Sequence, residues 1–151
     1  MDSSEAKTKE FTAGAALRIY GTGLDLDGIT RELGISPDHQ HRRGENDPRK
    51  RPYSHDMWSL ASPAGEDQDL EVHLVWLSER FLSRQAFILS LKNKFQVDIH
   101  CWKNCNTEQS SLILSSHTLR IFTELNLDLN VSLLCIPPET TPQGPAVTTT
   151  G

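Results

Sequence analysis

The stretch Leu17–Pro37, LRIYGTGLDLDGITRELGISP, contains the signals for a strand, a turn, a capped helix and the end of that helix. Apolar and polar residues alternate from Phe11 to Tyr20, which predicts a strand covered on one face. After the glycine-containing turn, Asp25 is placed to cap a short helix, and Gly34 suits the left-handed position at its end. Because Pro37 prevents continuation, the stretch predicts one strand–turn–helix unit.

A longer helical region follows a polar segment. We expect an irregular loop over Asp38–Asp56 and a short strand over Met57–Ala61. Apolar residues recur with helical spacing from Leu70 to Phe95, but one unbroken helix of that length would span about 39 Å at about 1.5 Å per residue. Arg84 also interrupts the apolar stripe. We therefore predict two helices with a break near Leu82 to Arg84.

The last third of the chain returns to strand-like alternation around one further helix. Alternation predicts the strands, and a serine before an apolar periodic run predicts the helix start. The predicted segments are a strand Gln96–Trp102, a loop Lys103–Ser110, a short edge strand Ser111–Leu114, a helix capped by Ser115 or Ser116, and a final strand Leu127–Ile136.

These elements predict an α+β fold on a ferredoxin-like plan. We expect a two-layer sandwich from two strand–helix–strand halves with a helical insertion between them, and an antiparallel or mixed sheet of four to five strands. Residues 11–136 would form this single domain. Residues 1–10 and the Pro- and Thr-rich residues 137–151 are predicted to be disordered tails, because their composition offers too little apolar surface to bury.

Composition narrows the classes of function. The chain has 151 residues and a formal net charge of -5, which disfavours nucleic acid as a partner because phosphate contacts need clustered Lys and Arg. Three cysteines give no disulfide framework and favour a reducing compartment. Neither an apolar signal segment nor a membrane-spanning run is visible in the sequence, so we expect a cytoplasmic protein without membrane contact.

Several short motifs resemble a known family. They are LRIYG, LDLDGITRELGISP, Arg43-Gly44-Glu45, MWSL, LEVHLVWL and VDIHCWK. Together they are similar to the bacterial domain-of-unknown-function 4279 family over Phe11 to Ile136, although Leu26 stands where the family pattern has proline. The resemblance implies a small α+β domain of uncharacterised role, and it supplies no catalytic residues.

The first candidate site is the sheet face opposite the helices. If the first and third predicted strands are neighbours, Arg18 and Tyr20 lie beside His100 and Trp102. Aromatic rings with a cation on an open sheet could stack a planar ligand or a base. The alternative is that the helical insertion or a second subunit covers this face.

The second candidate is the basic loop HQHRRGENDPRKRP. Its arginines, Arg43 among them, could capture a phosphate or an acidic partner, and the loop could fold over the sheet to close a pocket with Trp58. The alternative is a solvated mobile loop.

A metal site is not predicted. His100, Cys101 and Cys105 are close in sequence, but strand alternation points His100 and Cys101 to opposite faces. We expect no cofactor either, because no phosphate-binding or dinucleotide-binding glycine motif is present.

Our leading hypothesis is a non-catalytic binding module that recognises a protein partner or a small acidic ligand. Its predicted ligand-binding residues are Arg18, Tyr20, Arg43, Trp58, His100 and Trp102. A homodimer is a further prediction, because Val72, Val75 and Trp76 widen the apolar stripe of the long helical region. The alternative function is a small hydrolase or transferase with a site built around His55, Trp58 and His100.

Overall fold

Five strands and four α-helices follow one another in residues 11–137, the part of the chain that the structure, a computed structural model, describes. The predicted tails, residues 1–10 and 137–151, lie outside the described residues except for Pro137. No helix in the described part is long and apolar enough to span a bilayer. The elements are β1 (Phe11–Gly21), α1 (Leu26–Leu33), β2 (His39–His41), β3 (Asp56–Ala61), α2 (Leu70–Phe81), a 3₁₀ turn (Leu82–Arg84), α3 (Gln85–Leu91), β4 (Gln96–Cys105), α4 (Ser116–Glu124) and β5 (Leu129–Cys135).

The strands form one mixed sheet in the order β2-β3-β1-β4-β5. The central strand β1 is antiparallel to both of its neighbours, β3 and β4, and β5 runs parallel to β4 at the edge. The predicted α+β class and a mixed sheet of five strands are therefore confirmed. The predicted pairing of the first strand with the strand that begins at Gln96 is also observed.

The helical region Leu70–Phe95 was expected to be an insertion between two halves, and this expectation is wrong. Its helices α2 and α3 are the connection from β3 to β4, two parallel strands that have β1 between them. In the same way, α1 connects β1 to β2, with β3 between them. The pair α4 and β5 is then added at the edge. The predicted composition of the two halves fails because sequence periodicity does not reveal which strands become neighbours.

The core lies between the sheet and one layer of helices. Strand β1 contributes Ala13, Ala15, Leu17 and Ile19 to it, the face that alternation predicts. From the helix layer, α2 buries Leu70, Leu74, Leu77 and Phe81, which follow the spacing of one helix face. Trp58 of β3 is fully buried among these residues, and its indole Nε1 donates a hydrogen bond of 3.0 Å to Thr30 Oγ1 of α1.

The local signals in the opening stretch are confirmed. The Asp25 carboxylate accepts a hydrogen bond from the Gly28 backbone N–H at the start of α1. Gly34 ends the helix with φ +70°, in the left-handed region, where a side chain would be strained. The predicted break between the two long helices is the 3₁₀ turn Leu82–Arg84. Ser115 caps α4 by accepting from the Thr118 N–H.

Three predicted segments differ in the structure. Strand β4 continues to Cys105 instead of ending at Trp102, because β1 and β5 pair with it on both sides up to that residue. Ser111–Leu114 is not a strand. The segment Asp38–Asp56 is less irregular than expected, since it contains β2 and an antiparallel bridge between Asn46 and Pro52.

One buried carboxylate holds three parts of the chain together. Asp56, only 5% exposed at the start of β3, accepts hydrogen bonds from the backbone N–H groups of Gly23 at 2.8 Å, Leu24 at 3.0 Å and Arg43 at 2.7 Å. These bonds, first that from Arg43, lower the pKa of the Asp56 carboxyl against the opposing effect of burial. The carboxylate therefore joins the β1–α1 turn and the β2–β3 loop to the sheet.

We predict that Asp56→Asn lowers the free energy of unfolding by roughly 3 kcal/mol, because one buried and two partly buried backbone N–H groups lose a charged acceptor. Urea unfolding of both proteins measures this difference. The stabilisation by Asp56 exists above the unfolded-state pKa of about 3.9 and is lost as pH falls through the lower folded-state pKa. The free energy of unfolding should thus fall less between neutral and acidic pH in Asp56→Asn than in the unmodified chain.

Asp27→Asn is the matched control, since Asp27 is an exposed carboxylate in the first turn of α1. Asp27→Asn should lower the free energy of unfolding by less than about 1 kcal/mol. An equal loss in the two variants would contradict the role assigned to Asp56.

Candidate functional site

The sheet face turned away from the helices carries a partly exposed polar and aromatic surface. We call this surface, formed by Arg18 and Tyr20 of β1 and by Asp98, His100 and Trp102 of β4, the open face. In the register of the two strands, Arg18 lies opposite Asp98 and Ala16 lies opposite His100. The structure thus brings together the four predicted site residues of this face, together with Asp98, which alternation along the strand from Gln96 also places there.

A bidentate ion pair lies at the centre of the open face. Arg18 donates from Nε to Asp98 Oδ1 and from Nη2 to Asp98 Oδ2, both at 2.8 Å, and the Tyr20 hydroxyl donates to Oδ2 at 3.2 Å. The hydrogen bonds to Asp98 raise the pKa of Arg18 above its usual value. Because the guanidinium already has its carboxylate, the pair is a neutral, rigid unit and not a free cation awaiting an anion.

His100 and Trp102 extend this surface along β4. Their ring centroids are 5.6 Å apart with planes inclined by 27°. The Trp102 indole lies against Gly14 on β1, so closely that any Cβ at position 14 would collide with the ring. Burial, and then the charge of Arg18, lower the pKa of His100 and keep its imidazole neutral to more acidic pH.

A second aromatic group adjoins Tyr20 toward the β2 edge of the sheet. The His41 and Tyr53 rings are stacked, with centroids 3.4 Å apart and planes inclined by 3°. His39 Nε2 lies 2.9 Å from His41 Nδ1, and the His55 ring lies 5.3 Å from that of Tyr20. Sequence reasoning named His55 only in the alternative catalytic site and did not predict this group. Its signal was the alternating His-Gln-His of the segment that was expected to be irregular.

The remaining predicted site residues lie elsewhere. Trp58 faces the helices and is fully buried, so the structure does not bring it to the open face or to a pocket closed by the basic loop. Arg43 lies in the β2–β3 loop, where its backbone N–H is bound to Asp56. The same loop is attached to the β1–α1 turn through Arg42, whose Nη1 donates to the Leu24 carbonyl at 2.7 Å.

The residues of the alternative catalytic site do not converge. His55 contacts Tyr20 and Ser54, His100 contacts Trp102, and Trp58 lies on the other side of the sheet. Within residues 11–137 there is also no group of three or more His, Cys, Asp or Glu side chains arranged to hold a metal ion.

A polar groove of about 540 Å³ borders the open face where β4 and β5 begin. Tyr20 and Asp98 belong to both the groove and the open face, and no histidine of residues 11–137 lines the groove. Lys92 in its wall donates to the backbone carbonyl of Asn126, and Asp128 adds a second carboxylate. The groove therefore continues the open face as a polar depression, without an acid–base histidine of its own.

Comparison with known proteins gives one match. A family model described as "Domain of unknown function (DUF4279)" matches residues 9–135. No curated protein and no solved structure matches the chain. The geometry of the site is thus the main source for inferring function.

We predict opposite effects on the pKa of His100 from the two members of the ion pair. Asp98→Asn should lower this pKa further, because it removes a carboxylate and leaves the Arg18 cation, whereas Arg18→Gln should raise it. Histidine NMR titration measures both shifts. Since the unfolded-state pKa is about 6.5 and the folded-state pKa is lower, stability should fall as pH drops below about 6.5.

Glu32→Gln serves as the control, because Glu32 is an exposed carboxylate on α1 and on the helix layer. It should leave the His100 titration unchanged. A shift of the same sign in the Asp98 and Arg18 variants would show that His100 does not sense the ion pair.

Proposed function

Since the chain belongs to the DUF4279 family, whose description names no activity, we propose that its function resides in the open face as a binding surface. In this proposal the chain is a non-catalytic binding module that recognises a protein partner. We further propose that it is a bacterial, cytoplasmic protein, as the family resemblance and the sequence composition suggest.

The observation that carries this proposal is a partly exposed aromatic surface around an ion pair that is already formed. Aromatic and arginine side chains are enriched in protein interfaces, and fixed side chains lose little entropy on binding. Tyr20, His100 and Trp102 are partly exposed, and the Arg18 and Asp98 side chains are 30% and 29% exposed. Such a surface suits a protein partner whose own surface carries both polar and apolar groups.

A small acidic ligand has less support from the same surface. Asp98 neutralises Arg18, and Asp98 and Asp128 contribute two carboxylates to the neighbouring groove. An incoming anion would have to displace the Asp98 carboxylate or lie beside it, and either costs electrostatic free energy. The hydrolase or transferase alternative has less support again, because its three residues do not converge.

A homodimer is a separate proposal, which the edge strand β5 favours. Within residues 11–137 its outer edge has no partner strand, and residues 129–136, LNVSLLCI, contain no charged side chain. Sheet edges that stay single are usually protected by lysine, proline or a bulge. Antiparallel pairing with the β5 of a second copy would be two-fold symmetric. Because the strand has no charged side chains, the pairing would bring no like charges together. It would also cover part of the exposed Leu133 and Leu134 side chains.

We also propose that β1 to β4 with their connecting helices correspond to the predicted ferredoxin-like plan, and that α4 and β5 are an addition to it. The interleaving of the β1–α1–β2 and β3–α2–α3–β4 connections supports this correspondence. In this arrangement the addition provides the edge that a second copy would use.

The open face is tested by co-purification with the tagged full chain from the organism that encodes it, followed by mass spectrometry. We expect His100→Glu to reduce at least tenfold the recovery of a protein retained by the unmodified chain, because it buries a charge in the interface. Ala86→Glu, an equivalent change at an exposed position of α3, should leave recovery unchanged. Equal recovery by all three proteins would exclude the open face as the interface.

The dimer is tested by size-exclusion chromatography with light scattering. We expect the unmodified chain to be dimeric and Leu133→Lys, at a side chain 59% exposed on β5, to be monomeric. Ile113→Lys introduces the same charge at a side chain 81% exposed but outside any strand, and should remain dimeric. A monomeric unmodified chain at high protein concentration would overturn this proposal.

A further inference from the structure

Two cysteines lie side by side where β4 and β5 end. Cys105 is the last residue of β4, Cys135 is the last residue of β5, and the two are register partners in the parallel pairing of these strands. Both are free thiols. The Ile136 N–H donates to the Cys105 carbonyl at 2.8 Å and so holds the two strand ends together just beyond the pair.

The register of this pair is compatible with a disulfide. Neighbouring strands lie about 4.8 Å apart, which is within the Cα–Cα range of about 4.4–6.8 Å found in disulfides. Register partners point to the same sheet face, so both thiols lie on one side. A bond between them would be a cross-strand link that closes the chain segment containing α4.

Access differs among the three cysteines. Cys135 is exposed, and Cys105 beside it is almost covered. Cys101, four residues before Cys105 on the same face of β4, is fully buried opposite Val131, and burial raises the pKa of its thiol to about 12. An oxidant from solvent therefore reaches Cys135 first and does not reach Cys101.

We propose that Cys105 and Cys135 form a reversible dithiol–disulfide pair that is oxidised by a low-molecular-weight disulfide such as oxidised glutathione. The thiolate of Cys135 attacks one sulfur of the oxidant, forms a mixed disulfide and expels one glutathione thiolate. The Cys105 thiol then loses its proton to water and attacks the Cys135 sulfur, expelling the second glutathione thiolate. Two protein thiols are oxidised, one glutathione disulfide is reduced, and the released protons are taken up by the glutathione thiolates.

The surroundings make this pair slow to react at neutral pH. The hydrogen bond with Cys105, then burial, raise the pKa of Cys135, and the nearby Lys103 opposes the shift only in part. Only the thiolate attacks, so the rate should rise about tenfold per pH unit below that pKa. Sustained exposure to the oxidant, rather than a brief pulse, would convert most of the protein to the disulfide form.

The experiment incubates the reduced full chain with oxidised glutathione at alkaline pH and follows intact mass. We expect the chain to lose two hydrogens, and peptide mapping to show the Cys105–Cys135 link. Dithiothreitol should restore the original mass. Cys101→Ser should give the same product, and Cys135→Ser should give no internal link.

Three outcomes would overturn the proposal. They are a stable glutathione adduct at Cys135 that Cys105 does not displace, a link that includes Cys101, and a link between two chains on a non-reducing gel. Because Cys135→Ser could alter the end of β5, circular dichroism of this variant is compared with that of the unmodified chain. If it is misfolded, partial iodoacetamide labelling of the unmodified folded chain at Cys135 replaces it, and the labelled fraction should not form the link.

Discussion

The Asp56 carboxylate is the constraint on which the arrangement around the sheet depends. It is buried, and it is held by three backbone N–H groups that belong to two loops distant in sequence. A buried carboxylate of this kind must be fully hydrogen-bonded to remain charged, so each loop must adopt the one conformation that presents its N–H groups. The β1–α1 turn and the β2–β3 loop are thereby fixed relative to β3. The position of the histidine and tyrosine group beside Tyr20 follows from that attachment.

The two faces of the sheet differ in what they carry: one packs the core against the helices, and the other carries the polar and aromatic open face. On the helix side, Trp58 ties α1 to β3 by packing and one hydrogen bond. The open face carries side chains that the core does not need. The neutral Arg18–Asp98 unit at its centre keeps the charged groups satisfied in the absence of a partner, so the surface is stable when exposed and still has aromatic area to bury.

Local signals in the sequence predicted local structure well. Asp25 and Gly34 correctly predicted the ends of the first helix. The spacing of apolar residues correctly predicted the helix break and the two faces of β1 and β4. Four residues of the open face could be placed because alternation and one strand pairing suffice to do so. Asp98 was placed on the same face by alternation, but nothing in the sequence showed that it would neutralise Arg18, since that depends on register. Trp58, predicted from the same sequence, lies on the helix side instead, since an aromatic residue in a motif can serve either packing or binding. The insertion was misjudged because strand order depends on contacts between distant residues.

The position of β1 at the centre of the sheet constrains how the chain folds. This strand is the first element of the domain, yet one of its two partners, β4, begins more than 70 residues later, at Gln96. During synthesis, which proceeds from the N-terminus, β1 can pair with β3 early but must wait with its other edge open until residues 96–105 have emerged. That waiting edge is unpaired in the nascent chain and is therefore exposed to misassociation. The sheet is therefore completed late in folding, in a step that depends on one long-range strand pairing.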